Sequence, residues 1–233
     1  MNTVHLLSSI DQRIEFRKIA LLSRVETMLC CRNMHTRPIW NFFFELAHLR
    51  RIKHEGWRLI GVDHPESVAE HSLRAAQIGY VLALLEGYER PEEVASILVF
   101  HDMGEARIGD LHRVANRYVT ADEGQAVNEQ LAPLETIGTP IENLRRQIEE
   151  RSTPAGIIAK DADYLEQAAM AKEYLERGYP FAQEWITNVT KAVRTQSAKN
   201  LMAALAESNS NDWWQGLKKM KPGDIAPEAP TNT

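Results

Sequence analysis

From Pro38 onward the apolar residues recur at three- and four-residue intervals, the period of a helix that buries one face. Residues 38–53 (PIWNFFFELAHLRRIK) begin with proline, which is tolerated at a helix start, and end in basic residues, which suit a helix C-terminus. Gly56 and Gly61 break that pattern. Ser67 and Glu70 then form an S-x-x-E capping box ahead of a long apolar stripe. Pro91 opens the next helix, and Gly104 and Gly109 loosen its end. Residues 111–121 read as a loop, and helices are predicted over 122–136, 141–151, 156–177, 181–193 and 196–207. No period-two strand, internal repeat or low-complexity block interrupts the series. One all-α domain is the simplest architecture.

The two ends differ from the middle. Residues 1–35 mix polar and apolar positions with some helical periodicity and carry no recognisable chemistry. Residues 221–233 (KPGDIAPEAPTNT) are rich in proline, small and polar types, a composition expected to stay disordered. The expected organisation is an extension over 1–35, a helical domain over 36–220 and a tail over 221–233.

Composition narrows the function classes. Hydrophobic residues make up 44 % and charged residues 25 % of the 233, ordinary values for a soluble globular protein. A formal net charge of -5 leaves no overall positive field to hold duplex nucleic acid by counterion release, so no stable nucleic-acid complex is expected. A small anionic substrate would need a local basic patch. The two cysteines, Cys30 and Cys31, are adjacent and could bridge each other only with strain, which suggests a reduced, intracellular chain. No apolar run is long enough to span a bilayer. The N-terminus lacks the pattern of a signal peptide, and Asp11, Glu15 and Glu26 argue against a transit peptide, so the cytoplasm is the expected compartment.

The candidate chemistry lies on three predicted helices. After Ser67, His71 heads a stripe of Ala75, Ile78, Leu82 and Leu85 and points inward near a helix end. Alone it reads as a core histidine bonded to a carbonyl. On the next helix, Val94, Ile97, Leu98, His101 and Glu105 share a face, and the run ILVF leads into His101 and Asp102. An Asp at the end of such a run turns to solvent or, if buried, must be paired or bound to a metal. The third piece is Lys160-Asp161-Ala162-Asp163. Its acids could simply favour the helix dipole. Periodicity does not choose between them: Asp161 lines up with Ile157, Leu165 and Ala168, and Asp163 with Ala159, Met170 and Tyr174.

Two histidines and one or two aspartates on three helices make a mixed nitrogen and oxygen ligand set, suited to a divalent ion with open coordination positions. Open positions are what metal-assisted hydrolysis needs. Glu105, placed one turn past His101 on the same predicted face, could accept a proton from attacking water or give one to the leaving oxygen. Asp110 follows Gly109 and is either beside the site or a turn residue. Trp57 is either near the substrate or plain core.

The order His71, His101-Asp102, Asp163 resembles the H…HD…D signature of the HD superfamily. The stretches FFFELAHLRRIKHEGWRLIGV, PESVAEHSLRAA, VFHDMGEARIGDL and KDADYLEQA resemble the HD-domain 5'-deoxynucleotidases more narrowly. The resemblance implies an all-α HD-domain helical bundle binding one divalent ion (Mn, Co, Mg, Zn, Ni or Fe), held by His71, His101, Asp102 and Asp163. It implies catalytic roles for Glu105 and Asp110 and places Trp57 near the substrate. Some members carry arginine just before that tryptophan, where this chain has Gly56, so phosphate contacts are expected from elsewhere. Arg58, Arg74 and Lys160 are the expected contributors, with Arg50, Arg51, Lys53 and Arg107 as further candidates. His64 and His112 are the only spare histidines noted near the motifs.

The implied activity is release of phosphate from nucleoside 5'-monophosphates, deoxynucleotides above all. Other phosphate esters, including nucleoside triphosphates, would use the same site, and a nucleotide-sensing or metal-binding module would keep the ligands but not need Glu105. The implied partner is a small nucleotide, with no membrane. A homodimer is compatible with the resemblance, although no interface is readable.

Overall fold

The computed structural model describes residues 36–215 and 217, so the expected extension and tail lie outside the described residues. The chain runs through α1 (Thr36–Leu46), α2 (Val68–Leu85), α3 (Pro91–Phe100), α4 (Glu105–Ile108) and α5 (Glu123–Leu131). It continues through α6 (Gly138–Glu150), α7 (Pro154–Glu176), α8 (Gln183–Ala192), α9 (Gln196–Glu207) and α10 (Asp212–Gln215), with short 3-10 turns between several of them. Among the described residues the only pairing of β type is an isolated bridge between Lys53 and Ser67. The fold is an all-α bundle, as the helical periodicity predicts. None of the described helices is long and apolar enough to cross a membrane.

Local signals set the long helices. The Ser67 hydroxyl accepts from the Glu70 N–H, and the Glu70 carboxylate accepts from the Ser67 N–H at 2.6 Å, which satisfies two donors that open a helix. Thr153 caps α7 through its hydroxyl, which accepts from the Gly156 N–H at 3.0 Å, and Pro154 follows at a position that needs no donor. α7 is the central element and packs against α2, α3, α6, α8 and α9. Leu82, Val94, Ile97, Leu98, Ala159 and Ala162 fill the space where α2, α3 and α7 meet.

Four details depart from the sequence reading. α1 stops at Leu46, because Ala47–Arg50 tighten into a 3-10 turn and Lys53 leaves to pair with Ser67. The helix expected over 122–136 is broken after Leu131: Pro133 has no N–H to continue the ladder, and Glu135 sits at φ 51. The apolar stripe of α2 ends at Leu82, since Leu85 is 55 % exposed. Most important for the site, α3 stops at Phe100. The Met103 N–H bonds to the Phe100 carbonyl and the Glu105 N–H to the Asp102 carbonyl, so a tight turn carries His101 and Asp102 and Glu105 opens the separate helix α4.

One close approach fixes α7. A Cβ on Gly156 would stand 1.9 Å from the Gln147 carbonyl oxygen at the end of α6, a backbone atom that cannot rotate away. Gly156→Ala should therefore destabilise the protein by about 2 kcal/mol or more, the upper part of the usual range for overpacking or beyond it. Gly124 lies inside α5, and a Cβ there meets only the Asp122 carboxylate, at 3.6 Å. Gly124→Ala should be neutral or stabilise by up to about 1 kcal/mol. Urea unfolding of the two variants checks both signs.

Candidate metal centre

α2, the turn after α3, and α7 bring four of the expected residues together. His71 is 1 % exposed, His101 and Asp163 are also buried, and Asp102 is half-buried. His71 Nε2 lies 3.2 Å from Asp163 Oδ1 and 3.7 Å from Asp102 Oδ2. His101 Nε2 lies 2.9 Å from Asp102 Oδ2 and 4.0 Å from Asp163 Oδ1. Potential ligand atoms of His71, His101 and Asp163 all fall within 4.8 Å of one another.

Both imidazoles are oriented from behind. His101 Nδ1 donates to the Leu98 carbonyl at 2.8 Å, and His71 Nδ1 bonds to the fully buried Glu166. Each Nε2 is thereby turned into the cluster, the arrangement that fixes the tautomer of a metal-binding histidine. His101 Nε2 is buried, and its 2.9 Å approach to Asp102 Oδ2 is an ion-pair contact without hydrogen-bond geometry. A buried ring nitrogen and two carboxylates aimed at one point, without a well-formed hydrogen bond from that nitrogen, are what a divalent cation would satisfy. The donor set fits such an ion.

The charges point the same way. Burial works against a charged His71, yet its bonds to Asp163 and Glu166 outweigh this and raise its pKa well above the ordinary histidine value. Burial also opposes ionised Asp102, but the His101 and His71 rings hold it down at about 2. Glu105 moves the other way. Burial first, then the carboxylates of Asp102, Asp110 and Glu123, push it up to about 10, and its buried Oε2 has no partner. A pocket with this much clustered carboxylate calls for added positive charge.

The remaining expected residues divide. Lys160 Nζ bonds to Asp163 Oδ2 at 2.6 Å and so belongs to the centre. Asp110 lines the adjoining cavity, with Oδ2 accepting from the Glu55 N–H at 2.7 Å. Trp57 is 2 % exposed and packs on Tyr174 and Trp185, while its edge reaches the same cavity. Arg58 is exposed and held by Glu55 and the Asp63 carbonyl. Arg74 is tied to Glu166 at 2.5 Å and Glu173 at 2.7 Å. The structure gives Arg58 and Arg74 partners within the protein, where the sequence reading made them substrate contacts. Arg107 is similarly occupied by Glu45 and Glu129.

The two acids left open by periodicity separate cleanly. Asp163 faces the histidines. Asp161 turns the other way and accepts backbone N–H bonds from Arg194 and Thr195, at 2.9 Å and 2.6 Å, where α8 hands over to α9. Glu105 does not share a helix with His101, because the turn intervenes, but that turn still leaves it among the site's carboxylates.

Sequence reasoning missed Glu166, Gln167 and His54. Gln167 donates to Asp163 Oδ1 at 3.1 Å, and His54 stacks on His71 with ring centroids 4.4 Å apart. A signal existed for Glu166. It stands three residues after Asp163, as Arg74 stands three after His71, so an acid and a base share the faces of the two ligands.

Comparison with known proteins agrees with this geometry. The HD domain family model matches residues 46–205, and the chain belongs to that family. It is 29 % identical over 143 residues to the 5'-deoxynucleotidase HDDC2 of Dictyostelium discoideum, covering 57 % of this chain and 75 % of the relative. It is 30 % identical over 139 residues to the 5'-deoxynucleotidase hdd1 of Schizosaccharomyces pombe, covering 55 % and 68 %. A conserved hypothetical protein from Pyrococcus furiosus shares the fold at a TM-score of 0.61 and 26 % identity, over 72 % of this chain and 99 % of that one. Fold and site together define the class, an HD-domain metal-dependent phosphohydrolase.

Two predictions follow from these contacts. Asp163→Asn should abolish metal binding, measured by elemental analysis. Asp161→Asn should keep the metal and lower stability by about 1–3 kcal/mol, because charge-assisted bonds to the backbone are weakened. Arg74→Met frees Glu166 and should weaken metal affinity roughly 10–100-fold, as loss of an orienting partner does. At saturating metal the same variant should leave KM for substrate unchanged, which separates orientation of His71 from direct substrate binding.

Proposed function

We propose that this protein hydrolyses deoxynucleoside 5'-monophosphates to nucleoside and phosphate, with one divalent cation held by His71, His101, Asp102 and Asp163. The observation that carries the reading is the buried cluster in which ligand atoms of His71, His101 and Asp163 converge, with His101 Nε2 making no well-formed hydrogen bond. A cavity of about 430 Å³ adjoins that cluster and includes His54, Trp57, Tyr164, Gln167 and Trp185 in its wall. Its size and aromatic lining suit a nucleoside. The names of the two curated relatives support a deoxynucleotide substrate. A cytoplasmic location fits such a substrate.

When bound, the cation supplies Lewis acidity, which lowers the pKa of a water molecule and neutralises phosphate oxygens. The chain does the rest. Glu105 has an unpartnered oxygen beside Asp102, and without a cation burial and the neighbouring carboxylates hold it protonated, placed to deliver that proton to the leaving 5'-oxygen; the charge of a bound cation would lower its pKa and let it take the proton of the attacking water first. Lys160 adds an ammonium beside Asp163 as a point charge for a phosphate oxygen. Arg113, not singled out from the sequence, lines the cavity with no hydrogen bond or ion pair among the described residues, so its guanidinium is available to an anion. Arg113 thus takes up the task assigned to Arg58 and Arg74 from sequence. Asp110 and Trp57 contribute to the substrate wall, Asp110 by tying its loop to Glu55.

Phosphate release from a panel of nucleotides, with several metals and an EDTA control, tests the reading. Deoxynucleoside monophosphates should be turned over in a metal-dependent way, and silence across the panel would favour a sensing module. Glu105→Ala should keep fold and metal while losing about 10²–10⁴-fold in turnover, the usual contribution of positioned proton transfer. Wild-type turnover in that variant would remove Glu105 from the mechanism.

A further inference from the structure

Residues 111–121, between α4 and α5, are tied to one another and to little else. The Asn116 side-chain amide donates to the Leu111 carbonyl at 2.7 Å, the Ala115 N–H donates to His112 Nδ1 at 3.1 Å, and the Tyr118 N–H donates to the Ala115 carbonyl at 2.9 Å. Among the described residues, every hydrogen bond of the segment closes within it, and none of its side chains enters a hydrophobic cluster. The fastenings lie just outside its two ends. Asp110 Oδ2 accepts the Glu55 N–H at 2.7 Å, and Asp122 Oδ1 accepts the Gln125 N–H at 2.8 Å as the cap of α5. A segment braced within itself and held only at its ends can turn as one piece at little cost.

The same segment carries side chains without partners. Tyr118 is 83 % exposed, and Val114 and Val119 are exposed beside it. Arg113 and Arg117 make no hydrogen bond or ion pair with the described residues. Its inner edge has a different position. Leu111, His112 and Arg113 form one wall of the cavity beside the metal centre, and Leu59 and Trp185 stand in other walls. Single exposed apolar residues are ordinary on a surface. Here three of them, with two guanidiniums, ride on a self-braced segment at the edge of the cavity. A macromolecular partner would use the exposed side chains but would not need the inner edge to line a cavity. A covering role uses both.

We propose that residues 111–121 are a lid that turns about Asp110 and Asp122 and closes over the bound nucleotide, bringing Arg117 and Tyr118 onto the rim of the cavity. This rests on the reading of the cavity as a nucleotide site and adds the way that site is shut off from water. Closure takes the Tyr118 ring out of water and sets Arg117 beside an anionic ligand. Both contacts exist only in the closed, occupied form, so the ligand itself shifts the segment toward closure. A site covered from water also strengthens the attraction of Lys160 and Arg113 for a phosphate.

Trypsin cuts after arginine, so the bonds Arg113–Val114 and Arg117–Tyr118 are probes inside the segment. The ligand for the test is a deoxynucleoside 5'-phosphonate, in which carbon replaces the scissile oxygen, added at saturation to the metal-loaded full chain. Cleavage at both bonds, followed by mass spectrometry, should slow by about tenfold or more, because it tracks the open population. The bond Arg177–Gly178, at the exposed end of α7 and outside the cavity wall, is the reference and should be cut at an unchanged rate. Tyr118→Ala changes a side chain that is already in water, so its urea midpoint should match the wild type. Its KM for the monophosphate should rise roughly tenfold, the worth of burying one aromatic ring, and most of the protection should be lost. Equal cleavage with and without the phosphonate, in a protein shown by calorimetry to bind it, overturns the lid and leaves the nucleotide reading standing. Slowing shared by Arg177–Gly178 also overturns the lid, since the whole chain is then stabilised. So does a Tyr118→Ala protein with the KM and protection of the wild type. A chain that binds no nucleotide in the calorimeter overturns the nucleotide reading and, with nothing to close on, the lid.

Discussion

Burying ionised groups is expensive unless each finds a partner, and this constraint governs the interior of the protein. Asp102, Asp163 and Glu166 enter the helical core with His71 and His101 between them. From the outside inward the order is Arg74, Glu166, His71 and then the shared centre, and each member fixes the orientation of the next. Lys160 and Gln167 do the same for Asp163 from their own helix. Two groups at the centre are left without a well-formed hydrogen bond: Nε2 of His101 and an oxygen of Glu105. A divalent cation answers the first, and proton transfer uses the second.

The scaffold exists to hold these groups at fixed separations. α2 and α7 are long, buried and securely capped, which makes their ligands, His71 and Asp163, rigid points. The third contribution comes from a turn instead of a helix. With α3 stopping at Phe100, a turn carries His101 and Asp102, and both reach the centre. The same turn sets Glu105 among the carboxylates at the start of α4. The contact of Gly156 with the α6 backbone anchors the start of α7, so packing far from the chemistry supports the ligand geometry.

Much of this was readable from the amino-acid order. The capping box at Ser67, the proline at the start of α3 and the apolar spacing identified the helices, because those signals are local. The four ordered motif blocks identified the family, and the family model then matched residues 46–205. Periodicity could not separate Asp161 from Asp163, since α7 is buried on several sides and offers both acids an interior: one bonds backbone amides and the other faces histidines. The partners of Arg74 were hidden for a related reason: a charge pattern does not reveal which carboxylates the fold delivers, and Glu166 and Glu173 come from ninety or more residues away. His54 went unnoticed because nothing in IKHEGW announces that Glu66 and His71 will close around it.

The most direct test of the central claim is a crystal structure of the metal-loaded protein with diffraction recorded at the absorption edge of the metal. One anomalous peak is predicted, bonded by Nε2 of His71, Nε2 of His101 and the carboxylates of Asp102 and Asp163. A peak elsewhere, for example between His54 and Glu66, with those four side chains free of metal, would contradict it.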